Sequence, residues 1–173
     1  SQTLTSTFDL FIICNPNNPT STALTKDQLT QILDLCLAKN IFVMIDETYV
    51  EFVEQESEIS AVSLTTSYPN LIVLRGVSKF YAAPGLRLGY AITSNQSLIS
   101  QFTTQKNPWT INSIAEVAGT FMFSDHEYIQ KTRALISSER TRIYQELSSL
   151  DGLIPYKPTA NFILVRITRE DLD

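Results

Sequence analysis

The strongest constraint on the fold is a regular alternation of short apolar runs with longer segments of helical periodicity. Apolar runs at residues 8–14, 41–45, 70–74 and 89–93 are predicted to be strands, and the run at 8–14 is nearly continuous in hydrophobicity. Continuous apolar strands are typical of a sheet that is buried on both faces. The alternation therefore predicts an α/β fold with a largely parallel sheet flanked by helices.

Capping signals place the helices between these strands. Thr25 and Gln28 have the spacing of a capping box, and apolar residues follow at helical intervals as far as Leu37. Residues 95–106 and 112–149 are also predicted to be helical. The second of these stretches contains Ser124-Asp125, a good N-cap pair, and we expect it to break there into two helices.

A change in sequence character after Leu150 predicts a domain boundary. A turn at Asp151-Gly152 and two prolines, Pro155 and Pro158, precede a further predicted strand at residues 161–167. We therefore assign residues 1–149 to part of a large domain and residues 150–173 to the beginning of a small C-terminal domain.

Composition excludes several classes of function. The chain has 13 Lys and Arg against 18 Asp and Glu, so it lacks the basic surplus that nucleic-acid binding requires. No apolar run is long enough to predict a transmembrane helix, and residues 1–14 do not have the pattern of a signal peptide. One histidine with Cys14 and Cys36 cannot form an ordinary zinc site. We expect a cytoplasmic protein with two reduced thiols in its core and no metal, nucleic-acid or membrane partner.

Polar clusters follow the first three strands. They lie at residues 15–20, 46–49 and 75–79, and Arg87 stands between two glycines directly before the fourth strand. Ligands of open parallel sheets bind beyond the carboxyl ends of the strands. The sequence therefore predicts one site that combines amides, a carboxylate, a phenol, a lysine and an arginine.

The same clusters form motifs in a fixed order. These are Asn-Pro-Asn-Asn-Pro-Thr at 15–20, Ile-Asp-Glu-Thr-Tyr at 45–49, and Ser-Lys at 78–79 followed by Pro-Gly-Leu-Arg-Leu-Gly-Tyr at 84–90. Together they resemble the fold-type-I pyridoxal 5′-phosphate (PLP) dependent aminotransferases of class I/II. Segments 79–90, 107–112 and 159–162 are most similar to the threonine-phosphate decarboxylases of cobalamin biosynthesis, and histidinol-phosphate aminotransferases are close relatives. Enzymes of this family are longer, so the chain resembles their middle.

The resemblance implies an incomplete large PLP-binding domain, followed by the start of a small α+β domain. It makes Lys79 the catalytic residue, which would link covalently to the PLP aldehyde and shuttle a proton. Asp46 would pair with the protonated pyridine nitrogen, so that the ring can accept electrons.

The remaining cofactor ligands also follow from the resemblance. Asn18 and Tyr49 would hydrogen-bond the 3-oxygen of the PLP ring, while Ser78 and Arg87 would hold its phosphate. Two positions depart from the family pattern: Gly76 stands where a hydroxyl residue is usual, and Ser21 replaces a glycine that usually follows the Asn-Pro-Thr of the first motif.

The resemblance leaves the reaction open. It implies either decarboxylation of a small phosphorylated amino acid or transamination of the histidinol-phosphate type. It also implies that the whole protein is a homodimer. Alternatively, the chain as given is a non-catalytic fragment.

Substrate-side roles for Tyr81, Trp109 and Asn112 compete with simpler roles as core aromatics or a helix N-cap. We assign no role to Asn161 or Arg166, and His126 is expected to be a solvated or capping residue.

Overall fold

The computed structural model describes residues 8–169. Its strands are β1 (Leu10–Cys14), β2 (Phe42–Asp46), β3 (Leu71–Gly76), β4 (Gly89–Ile92), β5 (Leu153–Pro155) and β6 (Val165–Ile167). Its helices are α1 (Lys26–Ala38), α2 (Glu56–Ile59), α3 (Gln96–Gln105), α4 (Ser113–Ser124) and α5 (His126–Ser149). Short 3-10 segments occur at Val50–Phe52, Val62–Thr66 and Pro84–Leu86.

The main sheet has the strand order β1-β2-β3-β4. β1, β2 and β3 are parallel, while β4 runs antiparallel to β3. The register places Cys14, Asp46 and Leu74 side by side at the carboxyl ends of the parallel strands. The predicted α/β fold with a mostly parallel sheet is therefore confirmed, and three strand ends meet at one edge.

The core fills one face of this sheet. Helix α1 contributes Leu29, Leu33 and Cys36, which are fully buried against alternate residues of β2 and β3, among them Val43 and Val73. Complete burial of a leucine or valine side chain is worth about 1.5–3 kcal/mol, so this face dominates the stability of the sheet.

The expectation that β1 is buried on both faces is wrong. Leu10 and Ile12 are 45% and 57% exposed, and Cys14 is exposed as well, whereas Phe11 and Ile13 pack on the core. β1 is the edge strand, and the described part of the chain covers only one of its faces. Cys14 is therefore not a core thiol, whereas Cys36 is.

The capping predictions are confirmed. Thr25 Oγ1 accepts the Gln28 N–H at 3.3 Å, and Gln28 Oε1 accepts the Thr25 N–H at 2.9 Å, which is a complete capping box. Asp125 Oδ1 accepts the Tyr128 N–H at 2.9 Å and caps α5, and His126 is the exposed first residue of that helix. The break in the segment 112–149 lies where the Ser-Asp pair predicts it.

The C-terminal strand is shorter than expected. Only Val165–Ile167 of the predicted strand 161–167 is a strand, and it pairs antiparallel with β5 in a separate two-stranded sheet. Just before it, the backbone N–H groups of Thr159 and Ala160 are bound by Ser21. The domain boundary near residue 150 stays a prediction, which the separate sheet supports.

Among the helices of residues 8–169, none combines the length and the hydrophobicity that spanning a membrane requires.

Candidate active site

The structure brings three of the predicted site residues together. Asn18 Nδ2 donates to the hydroxyl oxygen of Tyr49 at 3.2 Å, and Lys79 Nζ lies 5.9 Å from the centre of the Tyr49 ring. The three residues come from the segments that follow β1, β2 and β3. An amide, a phenol and an amine thus lie next to one another beyond the carboxyl ends of the parallel strands.

Asp46 is the last residue of β2 and is half-buried. Side chains alternate along a strand, and Asp46 shares a face with Phe42 and Met44, opposite the core face of Val43. Its Oδ1 accepts the Thr48 N–H at 2.9 Å and also the Thr48 hydroxyl. The carboxylate is therefore fixed at the end of the strand and directed away from the core.

Ser78 and Arg87 are less closely tied to this cluster. Ser78 is half-buried directly before Lys79 in the segment that follows β3, and Arg87 is exposed. Arg87 has a left-handed backbone, with φ of 55°, and its Nη1 donates to Pro84 O at 2.9 Å. Among the hydrogen bonds of residues 8–169, none joins Arg87 to Ser78 or Lys79, so a shared phosphate site stays a prediction.

A buried ion-pair network lies directly behind the site. The Glu47 carboxylate is fully buried and accepts hydrogen bonds from Arg75 Nη2 at 2.7 Å and Nε at 3.0 Å. Ser60 Oγ donates to Glu47 at 3.0 Å, and the Ala61 N–H donates to it as well. Arg75 also binds Glu56 at 2.8 Å. The network joins the residue after Asp46 to the strand that leads to Lys79, and no local pattern in the sequence indicates it.

A second carboxyl group beside the network lacks a full set of partners. Glu51 is buried, and its Oε2 has no hydrogen-bond partner among the described residues. Burial raises the pKa of Glu51 to about 7, although Arg75 at 3.9 Å acts in the opposite direction. Glu51 therefore takes up a proton more readily than an ordinary glutamate does.

Aromatic rings border the cluster. The Phe162 ring meets the Tyr49 ring edge to face at 5.0 Å, and the Tyr81 ring stacks on Tyr128 at 5.9 Å. Burial, together with the charge of Glu51, raises the pKa of Tyr81 to about 12, so its phenol stays protonated at neutral pH. The sequence placed Phe162 in the C-terminal segment but gave no sign of this contact.

The residues that the sequence suggests only weakly for the substrate side have ordinary structural roles or lie exposed. Asn112 Oδ1 accepts the Ala115 N–H at 2.8 Å and caps α4, and its Nδ2 donates to Leu86 O at 3.1 Å. Trp109 is 87% exposed and is not a core aromatic. Asn161 and Arg166 are exposed, and the structure assigns neither a role in the cluster.

The sequence matches the model of the family Aminotransferase class I and II over residues 2–172. It is 36% identical over 172 residues to the threonine-phosphate decarboxylase of Salmonella typhimurium, a match that covers 99% of this chain and 47% of that protein. It is also 36% identical over 161 residues to histidinol-phosphate aminotransferase 2 of Oceanobacillus iheyensis, covering 93% of this chain and 43% of the relative.

Comparison with solved structures indicates the same family relationship as comparison of the sequences. The structure superposes on the histidinol-phosphate aminotransferase from Clostridium acetobutylicum with a TM-score of 0.88 and 35% identity, covering 93% of this chain and 48% of that one. The chain thus spans about half the length of the relatives it matches. Because the family model matches nearly the whole sequence, the chain belongs to the aminotransferase class I and II family.

Proposed function

We propose that the whole protein is a PLP-dependent enzyme that decarboxylates a small phosphorylated amino acid of the L-threonine O-3-phosphate type, as in cobalamin biosynthesis. The observation that carries this proposal is the position of Lys79 Nζ, 5.9 Å from the centre of the Tyr49 ring whose hydroxyl accepts the Asn18 amide. A lysine amine beside a phenol and an amide, at the carboxyl end of a parallel sheet, suits covalent capture of an aldehyde.

The residues present fit PLP group by group. Lys79 offers an exposed amine for the aldehyde, and Asp46 offers a fixed carboxylate for the pyridinium nitrogen. Tyr49 and Asn18 offer a phenol and an amide for the 3-oxygen. Arg87, the exposed guanidinium of the third motif, and the hydroxyl of Ser78 suit the phosphate.

When bound, PLP supplies an electron sink for the carbon that loses a substituent. The chain's own residues prepare that chemistry. Lys79 Nζ would hold the cofactor and would carry the proton that replaces the lost carboxylate. Asp46 would keep the ring nitrogen protonated, because a carboxylate beside it favours the charged form. Tyr49 and Asn18 would orient the ring through its oxygen.

Decarboxylation is proposed on the similarity to threonine-phosphate decarboxylase over 99% of this chain. The alternative is transamination of the histidinol-phosphate type, which the superposition on a histidinol-phosphate aminotransferase favours. The two reactions differ in the bond at the substrate Cα that breaks, which is the bond to the carboxylate in decarboxylation and the bond to hydrogen in transamination. In both cases the substrate is a small phosphorylated amino compound.

The reaction type can be tested directly with the whole protein. We expect incubation with PLP and L-threonine O-3-phosphate to release one CO2 for each substrate consumed, without a 2-oxo acid being required. Lys79→Ala is the matched control and should release none. Amino transfer from histidinol phosphate to a 2-oxo acid, without CO2 release, would establish the transaminase instead. If neither reaction occurs, the proposal fails.

A homodimer is the proposed assembly. Helix α4 leaves Ile114, Val117 and Phe121 exposed at 72%, 59% and 71%, and their spacing places them on one face of the helix. Trp109 and Ile111, in the segment before α4, are also exposed. A contiguous apolar surface of this kind is typical of a protein interface. A second copy of the chain, as the family resemblance implies, is the occupant we propose.

Sedimentation of the whole protein tests this assembly. We expect a dimer at micromolar concentration, and Phe121→Asp should shift it toward monomer, because a buried unpaired carboxylate is costly at an interface. Glu116→Gln, on the same helix, should leave the dimer intact. A wild-type monomer would contradict the proposal.

We further propose a cytoplasmic location, where Cys14 and Cys36 would stay reduced.

A further inference from the structure

Two residues far apart in sequence bind the backbone of Thr159 and Ala160 from opposite sides. Ser21 Oγ accepts the Ala160 N–H at 2.9 Å, and Ser21 O accepts the Thr159 N–H at 2.8 Å and the Thr159 hydroxyl. Arg140 Nη1 donates to Thr159 O at 3.0 Å and Ala160 O at 3.3 Å. The backbone N–H and C=O groups of both residues are thus satisfied by Ser21 and Arg140.

The conformation of Ser21 points to a specific need for its hydroxyl. Ser21 is fully buried and has a left-handed backbone, with φ of 57°. That conformation favours glycine, and the family resemblance also implies a glycine here. A serine at such a position carries backbone strain and a buried hydroxyl, and both are unfavourable without compensation. The bond from the Ala160 N–H to Ser21 Oγ supplies it.

Both ends of this contact lead to the candidate active site. Ser21 is in the loop that carries Asn18, and the Ser21 N–H donates to Asn17 O at 2.7 Å, which closes that loop. On the other side, Phe162 follows Ala160 by two residues, and its ring meets Tyr49 edge to face at 5.0 Å. The contact therefore ties the loop beneath Asn18 to the segment that contacts Tyr49.

Arg140 is suited to hold this segment from helix α5. Its side chain is only 12% exposed, and Nη1 also donates to Phe52 O at 3.1 Å. Its Nη2 pairs with Glu54 at 3.2 Å. One guanidinium thus joins α5, the segment after β2 and the backbone of Thr159 and Ala160. A lysine has no planar fork of donors and could not make all of these bonds at once.

We infer that Ser21 and Arg140 are positioning residues, which clamp Thr159 and Ala160 so that Phe162 fixes the ring of Tyr49 beside Lys79. The inference rests on the proposed function for the roles of Tyr49 and Lys79. The clamp itself is made of protein groups alone, so it can be measured whether or not the cofactor is bound.

Amide hydrogen exchange of the whole protein tests the clamp without the cofactor. Ser21→Gly removes the hydroxyl while keeping the left-handed backbone favourable. We expect the Ala160 amide to exchange about fivefold faster, since one hydrogen bond is worth about 1 kcal/mol. Thr22→Ala, an exposed position in the same loop, should leave that amide unchanged. Unchanged or slower exchange in Ser21→Gly would overturn the inference, because glycine would then merely relieve strain.

The spectrum of the PLP-loaded protein tests the positioning of Tyr49. We expect Ser21→Gly and Arg140→Lys each to move the pH midpoint of the visible PLP band by roughly half a pH unit or more, because the phenol beside the ring becomes less fixed. Arg142→Lys is the control, since Arg142 lies on the same helix and its ion pairs within residues 8–169 are with exposed Glu139 and Glu146. Faster Ala160 exchange with no shift in the midpoint would overturn the positioning role.

The two proposals fail in different ways. If the Ala160 amide loses protection in Ser21→Gly but PLP is attached at a lysine other than Lys79, the proposed site is refuted. The role assigned to Tyr49 is then refuted with it. Attachment at Lys79 together with unchanged Ala160 protection would refute the clamp alone.

Discussion

Replacement of Lys79 by alanine should abolish covalent attachment of PLP. The whole protein, loaded with PLP, should show a visible absorbance band that borohydride converts into a stable adduct on the peptide containing Ser78-Lys79-Phe80. Lys79→Ala should lose the band and the adduct, and turnover should fall below detection, because no other group can replace the amine. Lys79 is exposed, so its removal should leave the free energy of unfolding nearly unchanged.

Lys106→Ala is the matched control for this experiment. Lys106 is also an exposed lysine, and it lies at the C-terminal end of α3 rather than beyond the sheet. We expect its label and turnover to equal those of the wild type. Mass spectrometry of the reduced protein locates the adduct. An adduct on Lys106, or turnover by Lys79→Ala, would show that the site has been assigned to the wrong lysine.

The sequence predicted which candidate residues lie together where a local motif specifies their positions. The segment that carries Asn18 contains only turn-forming residues, and Asp46 closes an apolar run, so the places of Asn18 beyond a strand and of Asp46 at a strand end follow from chain order alone. The sheet edge then brings Asn18, Tyr49 and Lys79 together, as predicted. Local patterns suffice here because parallel strands align their carboxyl ends.

The sequence could not predict contacts between distant segments. Phe162 lies 113 positions after Tyr49 in the sequence, and nothing in the local pattern around either residue indicates the pairing. The same holds for Ser21, where the sequence showed a departure from a glycine but not the Thr159–Ala160 backbone that the hydroxyl binds. The exposure of Ile12 was missed because strand periodicity does not reveal which elements cover each face of a sheet.

Breaking the Glu47–Arg75 pair should destabilise the fold more than breaking any other ion pair within residues 8–169. Glu47 is fully buried, and the side chain of Arg75 is 11% exposed. Removal of one partner leaves the other charge buried without its main counter-charge, which costs about 3–5 kcal/mol. We therefore expect Glu47→Ala to lower the free energy of unfolding by that amount in urea titrations at neutral pH. Glu139→Ala, which breaks an exposed pair with Arg142, should cost less than about 1 kcal/mol.

A double variant separates charge burial from packing. In Glu47→Met with Arg75→Met neither charge of this pair remains, Glu56 keeps its bond from Arg133, and Glu51 can take up a proton. The double variant should therefore be more stable than Glu47→Ala, because apolar side chains can replace a buried ion pair at little cost. PLP retention should be impaired in Glu47→Ala and in the double variant alike, since the bonds between Arg75 and Glu47 join the strand end at Asp46 to the segment that carries Lys79. A loss below about 1 kcal/mol in Glu47→Ala would contradict the assignment of a buried pair. Full PLP retention in the double variant would show that the network stabilises the sheet without positioning the site.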